Sequence, residues 1–178
     1  MNAWIETALV CHPTSLARAV ARVACALRRA GEGLEFIYSV DGDIAALVVP
    51  PRASADRADG LWRSTCLEAF VATQEGGYQE FNFAPSSRWA AYRFTGPREG
   101  MASLALNEPP GIDVSQQADQ LVVSVRLGRI VPGPLRLGIT AVIEEKDGTK
   151  SYWALRHGGN APDFHDPDCF VVQLPPAD

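Results

Sequence analysis

The segment between residues 59 and 94 constrains the fold more than any other part of the chain, because it carries polar and aromatic side chains together and alternates between two faces over residues 78–83. A period of two places successive side chains on opposite faces of an extended strand. The segment is predicted to form three consecutive strands, over residues 65–72, 78–84 and 88–95. In the second strand, one face holds Gln79, Phe81 and Phe83, and the other holds Tyr78, Glu80 and Asn82. A sheet face with this mixture of polar and aromatic side chains, flanked by Trp62 and Trp89, is typical of a ligand-binding surface.

Most of the remaining chain also reads as strand and turn. Further strands are predicted over residues 4–11, 34–40, 44–49, 121–127, 135–145, 149–156 and 169–174, and an irregular stretch over 96–119. A single amphipathic helix is predicted over about residues 14–30, where apolar residues recur at helical spacing: Leu16, Ala19, Val20, Val23 and Leu27. Gly31 and Gly33 would end it. The predicted fold is mainly β, an antiparallel β-sandwich of the immunoglobulin or jelly-roll kind, in one domain over residues 1–178.

The turn at Asp147-Gly148 predicts the register of a C-terminal hairpin. A two-residue turn there would pair Ile143 with Tyr152 and Val142 with Trp153. Tyr152 would then face the core, and Trp153 would face outward beside Glu144. A three-residue loop would exchange the two faces, so this prediction depends on the turn.

Charge and hydropathy exclude some partners. The formal net charge is −5, whereas nucleic acids and anionic membranes select basic surfaces. No run is long and apolar enough to span a bilayer, and the first residues lack the pattern of a secretory signal. We therefore expect a cytoplasmic protein that binds neither nucleic acid nor membrane.

Chemical motifs in the sequence are few. The four cysteines are scattered, so no zinc site is expected, and no acidic run resembles a calcium loop. Motifs for a serine nucleophile or a phosphate loop are absent. Glu68, Glu80 and Glu144 could supply a carboxylate pair for glycoside hydrolysis, but strand glutamates paired with cations across a sheet are commoner. The protein is therefore predicted not to be an enzyme and to need no metal or cofactor.

Four runs of the sequence resemble a known family: LWRSTCLEAFV, FNFAPSSRWAAY, LGITAVIEEKDGTKSYWAL and PDFHDPDCFVVQL. They are similar to the DOMON-like domains of bacterial proteins, which are relatives of the family 9 carbohydrate-binding modules. The resemblance covers about residues 35–175. It implies a β-sandwich that binds either a sugar or haem.

For a sugar, the resemblance implies that Trp62 and Trp153 are the aromatic walls, with Glu68 and Arg88 as polar contacts. Sugar C–H faces are apolar and lie well on an indole, and charged side chains bond the hydroxyls. Glu80, Asn82 and Glu144 are further candidates on the same polar face. The predicted function is non-catalytic binding of a saccharide or a sugar-containing metabolite.

Two alternatives remain open. For haem, the resemblance implies a methionine and a histidine as axial ligands, which here would be Met101 with His157 or His165. Alternatively, the polar and aromatic face could dock a protein partner.

Overall fold

The computed structural model describes residues 3–130 and 132–176. It contains twelve strands in this part of the chain. They are β1 (Ile5–Cys11), β2 (Val20–Ala30), β3 (Gly33–Gly42), β4 (Cys66–Ala72), β5 (Tyr78–Phe83), β6 (Trp89–Phe94), β7 (Ala102–Ser103), β8 (Gly111–Gln116), β9 (Gln120–Leu127), β10 (Leu135–Glu144), β11 (Lys150–Ala154) and β12 (Val172–Leu174). The predicted mainly β fold is confirmed, and the three strands predicted between residues 65 and 95 lie within two residues of their predicted ends.

The strands form one antiparallel path that curls into two facing layers. The first layer has the order β8-β9-β3-β2-β1, and the second has the order β7-β6-β5-β4-β10-β11, with β12 beside β10. Strand β1 joins them, because its residues 5–9 pair with β2 whereas Val10 and Cys11 pair with β11. The inward side chains of both layers pack into one apolar core.

The helix predicted over residues 14–30 is wrong. Residues 20–30 form β2, which pairs with β1 on one side and β3 on the other. Val23, Cys25 and Leu27 all point into the core with a period of two. The helices in the described residues are three short 3-10 turns (Ile44–Ala46, Leu61–Arg63 and Pro167–Cys169), and none has the length or apolar character needed to span a membrane.

The structure also corrects three local predictions. The strand predicted over residues 44–49 is wrong, because residues 44–46 form a 3-10 turn, and β3 pairs with β2 and β9. Gly31, at φ 58°, begins the tight turn between β2 and β3 and does not end a helix. The stretch 96–119 is not wholly irregular, since it contains β7 and the edge strand β8.

The hairpin of β10 and β11 does not have the register predicted for a two-residue turn but the one produced by a three-residue loop. Glu144 pairs with Lys150, Val142 with Tyr152 and Ala141 with Trp153. The loop therefore has three residues, 146–148, with Gly148 at φ 88° and the Glu145 N–H donating to the Thr149 carbonyl at 2.8 Å. Since one residue of slip exchanges the faces of a strand, Tyr152 faces outward and Trp153 faces the core.

Candidate functional site

A cavity of about 430 Å³ lies on the outer face of the second layer, on the side away from the core. Its floor is the sheet, and its walls come from three connecting segments, residues 61–63, 95–101 and 155–166. The residues of its floor and walls include Glu68, Glu80, Phe70, Val142, Tyr152, Trp62, Phe164, His165, Met101, Arg63, Arg98 and Lys150. The volume is in the range of small-ligand sites in proteins.

Glu68 stands at the centre of the floor. It is 2% exposed, and the neighbouring strands place Asn82 and Thr140 directly opposite it. The Thr140 hydroxyl donates to Glu68 Oε2 at 2.8 Å. A carboxyl group in the middle of a sheet is costly to bury unless its oxygen atoms are hydrogen-bonded. Packing alone would therefore favour an apolar residue at this position, and a carboxyl group here indicates a role in binding.

Glu80 lies beside Glu68 on the next strand and is 5% exposed. The Asn82 side chain donates to its Oε1 at 2.9 Å, and His165 Nε2 lies 3.9 Å from its Oε2. The Tyr78 hydroxyl accepts from the Arg98 N–H at 3.1 Å and lies 2.7 Å from His165 Nδ1. We infer that this hydroxyl in turn donates to Nδ1, which would leave the imidazole proton on Nε2, toward Glu80.

Burial changes the protonation of these groups. Burial, together with the neighbouring Glu80 carboxyl, raises the pKa of Glu68 well above its ordinary range. Burial also raises the pKa of Glu80, but the Asn82 hydrogen bond and the charge of Arg98 oppose that rise. Burial and Arg98 lower the pKa of His165 to about 4. At neutral pH, we infer a protonated Glu68, an ionised Glu80 and a neutral His165.

This protonation predicts a pH dependence of stability. Above the ordinary glutamate pKa of about 4.3, the unfolded chain releases a proton that folded Glu68 keeps, so the free energy of unfolding falls as pH rises toward neutral. Glu68→Gln should remove this pH-dependent loss of stability. The loss is on the order of 1–3 kcal/mol, since each unit of difference between the folded and unfolded pKa is worth about 1.4 kcal/mol. Urea unfolding of both proteins between about pH 4 and pH 8 measures it.

His165 gives the opposite pH dependence of stability. Because its pKa is lowered in the folded state, the unfolded chain binds a proton that the folded protein does not, and the free energy of unfolding falls as pH falls from about 6.5 toward 4. His165 is present in both wild type and Glu68→Gln, so the difference between their plots of unfolding free energy against pH reports the Glu68 carboxyl group. Glu6→Gln, at an exposed position on β1, is the control and should leave the wild-type pH dependence in place. Parallel curves for wild type and Glu68→Gln would contradict the assignment of the proton.

Aromatic side chains form the walls. Trp62 is half-buried, and its ring packs edge-on against Tyr92 with ring centroids 5.9 Å apart. Tyr152 rises from β11 and packs against Phe164, with centroids 6.1 Å apart. Flat rings beside buried carboxyl groups suit a ligand that has both apolar faces and hydroxyl groups.

The structure brings together some of the residues predicted from sequence and separates others. Trp62, Glu68 and Glu80 line one cavity, and Asn82 lies beneath it, bonded to Glu80. Arg88 is exposed at the turn between β5 and β6, and Glu144 is half-buried and pairs with Lys150 across the hairpin. Neither Arg88 nor Glu144 lines the cavity.

Trp153 is the main correction. It is 6% exposed in the core, where its indole N–H donates to Ser151 Oγ at 2.9 Å. It therefore cannot form a wall of this cavity, and the prediction that placed it on the outer face is wrong because the hairpin register differs by one residue.

Sequence reasoning missed Tyr152, Phe164, Arg63, Arg98 and Lys150 as cavity residues. Tyr152 could have been found only from the three-residue loop. Arg98 and Phe164 lie in connecting segments whose position depends on packing against the sheet, so no local pattern marks them.

The residues named for haem fit that cofactor poorly. Met101 and His165 both line the cavity, but His165 Nε2 is directed at Glu80, only 3.9 Å away. Its other ring nitrogen, Nδ1, lies 2.7 Å from the Tyr78 hydroxyl, so both nitrogens of His165 already face polar neighbours. The other candidate, His157, lies outside the lining and donates to the Val10 carbonyl at 2.8 Å.

No protein-family model and no curated protein matches this sequence. Among the solved structures that share its fold are two carbohydrate-binding proteins. A candidate carbohydrate-binding protein from Bacteroides uniformis has a TM-score of 0.71 and 15% identity, over 96% of this chain and 85% of that one. A family 9 carbohydrate-binding module from Caldicellulosiruptor kristjanssonii, in complex with cellotriose, has a TM-score of 0.55 and 10% identity, over 96% and 81%. The predicted relation to family 9 carbohydrate-binding modules is confirmed at the level of the fold.

Proposed function

We propose that this protein binds a saccharide in the cavity on the outer face of the second layer and does not cleave it. The observation that carries the proposal is the pair of buried carboxyl groups, Glu68 and Glu80, on the floor of a cavity with aromatic walls. Hydroxyl groups of a sugar would bond the carboxyl oxygens, and its C–H faces would lie on Trp62 and Tyr152. The structurally similar carbohydrate-binding proteins support this choice of ligand class.

The placement of the two acids argues against hydrolysis. Glycosidases hold a sugar bond between two carboxyl groups that approach it from different sides. Glu68 and Glu80 instead rise from neighbouring strands on the same sheet face, so both reach a ligand from below. This arrangement suits binding.

Trp62→Ala tests the proposal. A panel of neutral and acidic mono- and disaccharides should include members that raise the melting temperature of wild type and bind measurably by calorimetry. Removing the indole should weaken that binding about tenfold or more, because burying a large apolar side chain is worth about 1.5–3 kcal/mol.

Trp4→Ala is the matched control, because Trp4 is a partly exposed tryptophan just before β1 that packs under Arg28 and lies outside the cavity lining. It should leave affinity unchanged. Saccharide binding that survives Trp62→Ala would place the site elsewhere, and a panel without any binder would overturn the proposed function.

A further inference from the structure

Two basic residues lie next to each other at one side of the cavity opening. Arg63 ends the 3-10 turn that carries Trp62, and Lys150 begins β11. The Lys150 ammonium group donates to the Arg63 carbonyl, so the two residues are held side by side. Both line the cavity.

These two cations lack carboxylate partners in the described part of the chain. Ion pairs there involve other basic residues, including Arg98, which bonds Asp163 at 2.9 Å on the histidine side of the opening. Glu144 faces Lys150 across the hairpin without reaching ion-pair distance. The charges of Arg63 and Lys150 are therefore available to a ligand.

The charges around the cavity do not cancel. Arg98 and Asp163 offset each other, which leaves Arg63 and Lys150 to contribute two positive charges at the opening. With Glu68 protonated, Glu80 contributes one negative charge at the floor. A ligand that enters this cavity meets cations first and a hydrogen-bonding floor beneath them.

We propose that the ligand is an anionic saccharide, a uronate or a sugar phosphate, whose acidic group pairs with Arg63 and Lys150 while its hydroxyl groups reach Glu68 and Glu80. This inference rests on the proposed function and narrows its ligand class. Arg presents a fork of donors to a carboxylate or phosphate, and Lys adds a point charge. A cationic amino sugar would instead meet like charges at the opening.

Calorimetry with matched sugars tests the inference. The probes are glucose with glucuronate, galactose with galacturonate, mannose with mannuronate, and glucose 6-phosphate and glucosamine. In at least one stereochemical series, the acidic member should bind about tenfold more tightly than the neutral one, the effect of one charge-assisted hydrogen bond. The uronate and phosphate arms show which acidic group fits. The preference should shrink as salt rises from about 0.05 M to about 0.5 M.

Arg63→Gln should remove most of the preference for the acidic member over the neutral one. Lys150→Met should act in the same direction. Arg126→Gln, which removes an exposed arginine on β9 of the other layer, is the control. It should not change the affinity for the acidic or the neutral sugar. Melting temperatures of all variants check that they are folded.

The outcomes separate the two claims. Neutral and acidic sugars of equal affinity, or glucosamine as the tightest ligand, would overturn the anionic preference and leave saccharide binding in place. An acidic preference that Arg63→Gln and Lys150→Met do not reduce would also overturn it. Absence of binding by every sugar would overturn the proposed function together with this inference.

Discussion

Trp153→Ala is expected to lower the free energy of unfolding by about 3–5 kcal/mol, the usual cost of removing a large aromatic side chain from a core. Trp153 is 6% exposed between the two layers, and its loss would also leave the buried Ser151 hydroxyl without the indole N–H. Urea unfolding measures the change, which corresponds to a fall in melting temperature of roughly 10 °C for a chain of this size.

The neighbouring residue provides the contrast. Tyr152→Ala should cost only about 1–2 kcal/mol, because Tyr152 is half-buried on the outer face, but it should weaken saccharide binding. If Trp153→Ala does not fold, Trp153→Phe should give a smaller loss of stability with binding intact. A stable Trp153→Ala protein that no longer binds saccharide would show that the hairpin has the other register.

Glu80→Gln is expected to weaken saccharide binding about 10- to 100-fold, because hydrogen bonds to a charged group are worth about 1.5–3 kcal/mol. Glu80 is the carboxyl group that we infer to be ionised at neutral pH, and one of its oxygens is already held by Asn82. The other oxygen faces His165 and is placed to accept from a ligand hydroxyl.

Glu68→Gln is the matched variant at the adjacent position. Since Glu68 is protonated in this account, a glutamine preserves both its shape and its neutral state, and we expect less than about a fivefold loss of affinity at neutral pH. Calorimetry on both variants measures the difference. Equal losses, or a larger loss for Glu68→Gln, would contradict the assignment of the charge to Glu80.

The strands of the floor could be predicted from sequence because their alternation is strong and local. Phe81 and Phe83 are core residues, and Glu80 and Asn82 lie on the opposite face, as the alternation predicts. The prediction of a helix over residues 14–30 is wrong because Val23 and Leu27 fit helical spacing as well as one face of a strand, and the irregular pairing between Val20 and Arg22 brings Val20 into the same core. Pairing with β1 and β3 decides between the two, and those partners are not visible locally.

The candidate site could be predicted only in part for the same reason. Asp147-Gly148 is compatible with a two-residue or a three-residue loop, and that single choice decides whether Tyr152 or Trp153 meets the ligand. Glu68 and Glu80 follow from strand alternation and the family resemblance. Arg63 and Lys150 are far apart in sequence. They lie side by side only because the 3-10 turn that ends at Arg63 packs against the start of β11, where the Lys150 ammonium group donates to the Arg63 carbonyl.

The most direct test of the saccharide site is the response of the four tryptophan indole N–H signals in a two-dimensional NMR spectrum, assigned by single Trp→Phe variants. Glucose, galactose and their uronates are added in turn. The cavity predicts that a binding sugar shifts the signal of Trp62, while Trp4, just before β1, and the core indoles of Trp89 and Trp153 stay in place. A saturating sugar that shifts Trp4 alone, or leaves Trp62 unmoved, would contradict the account.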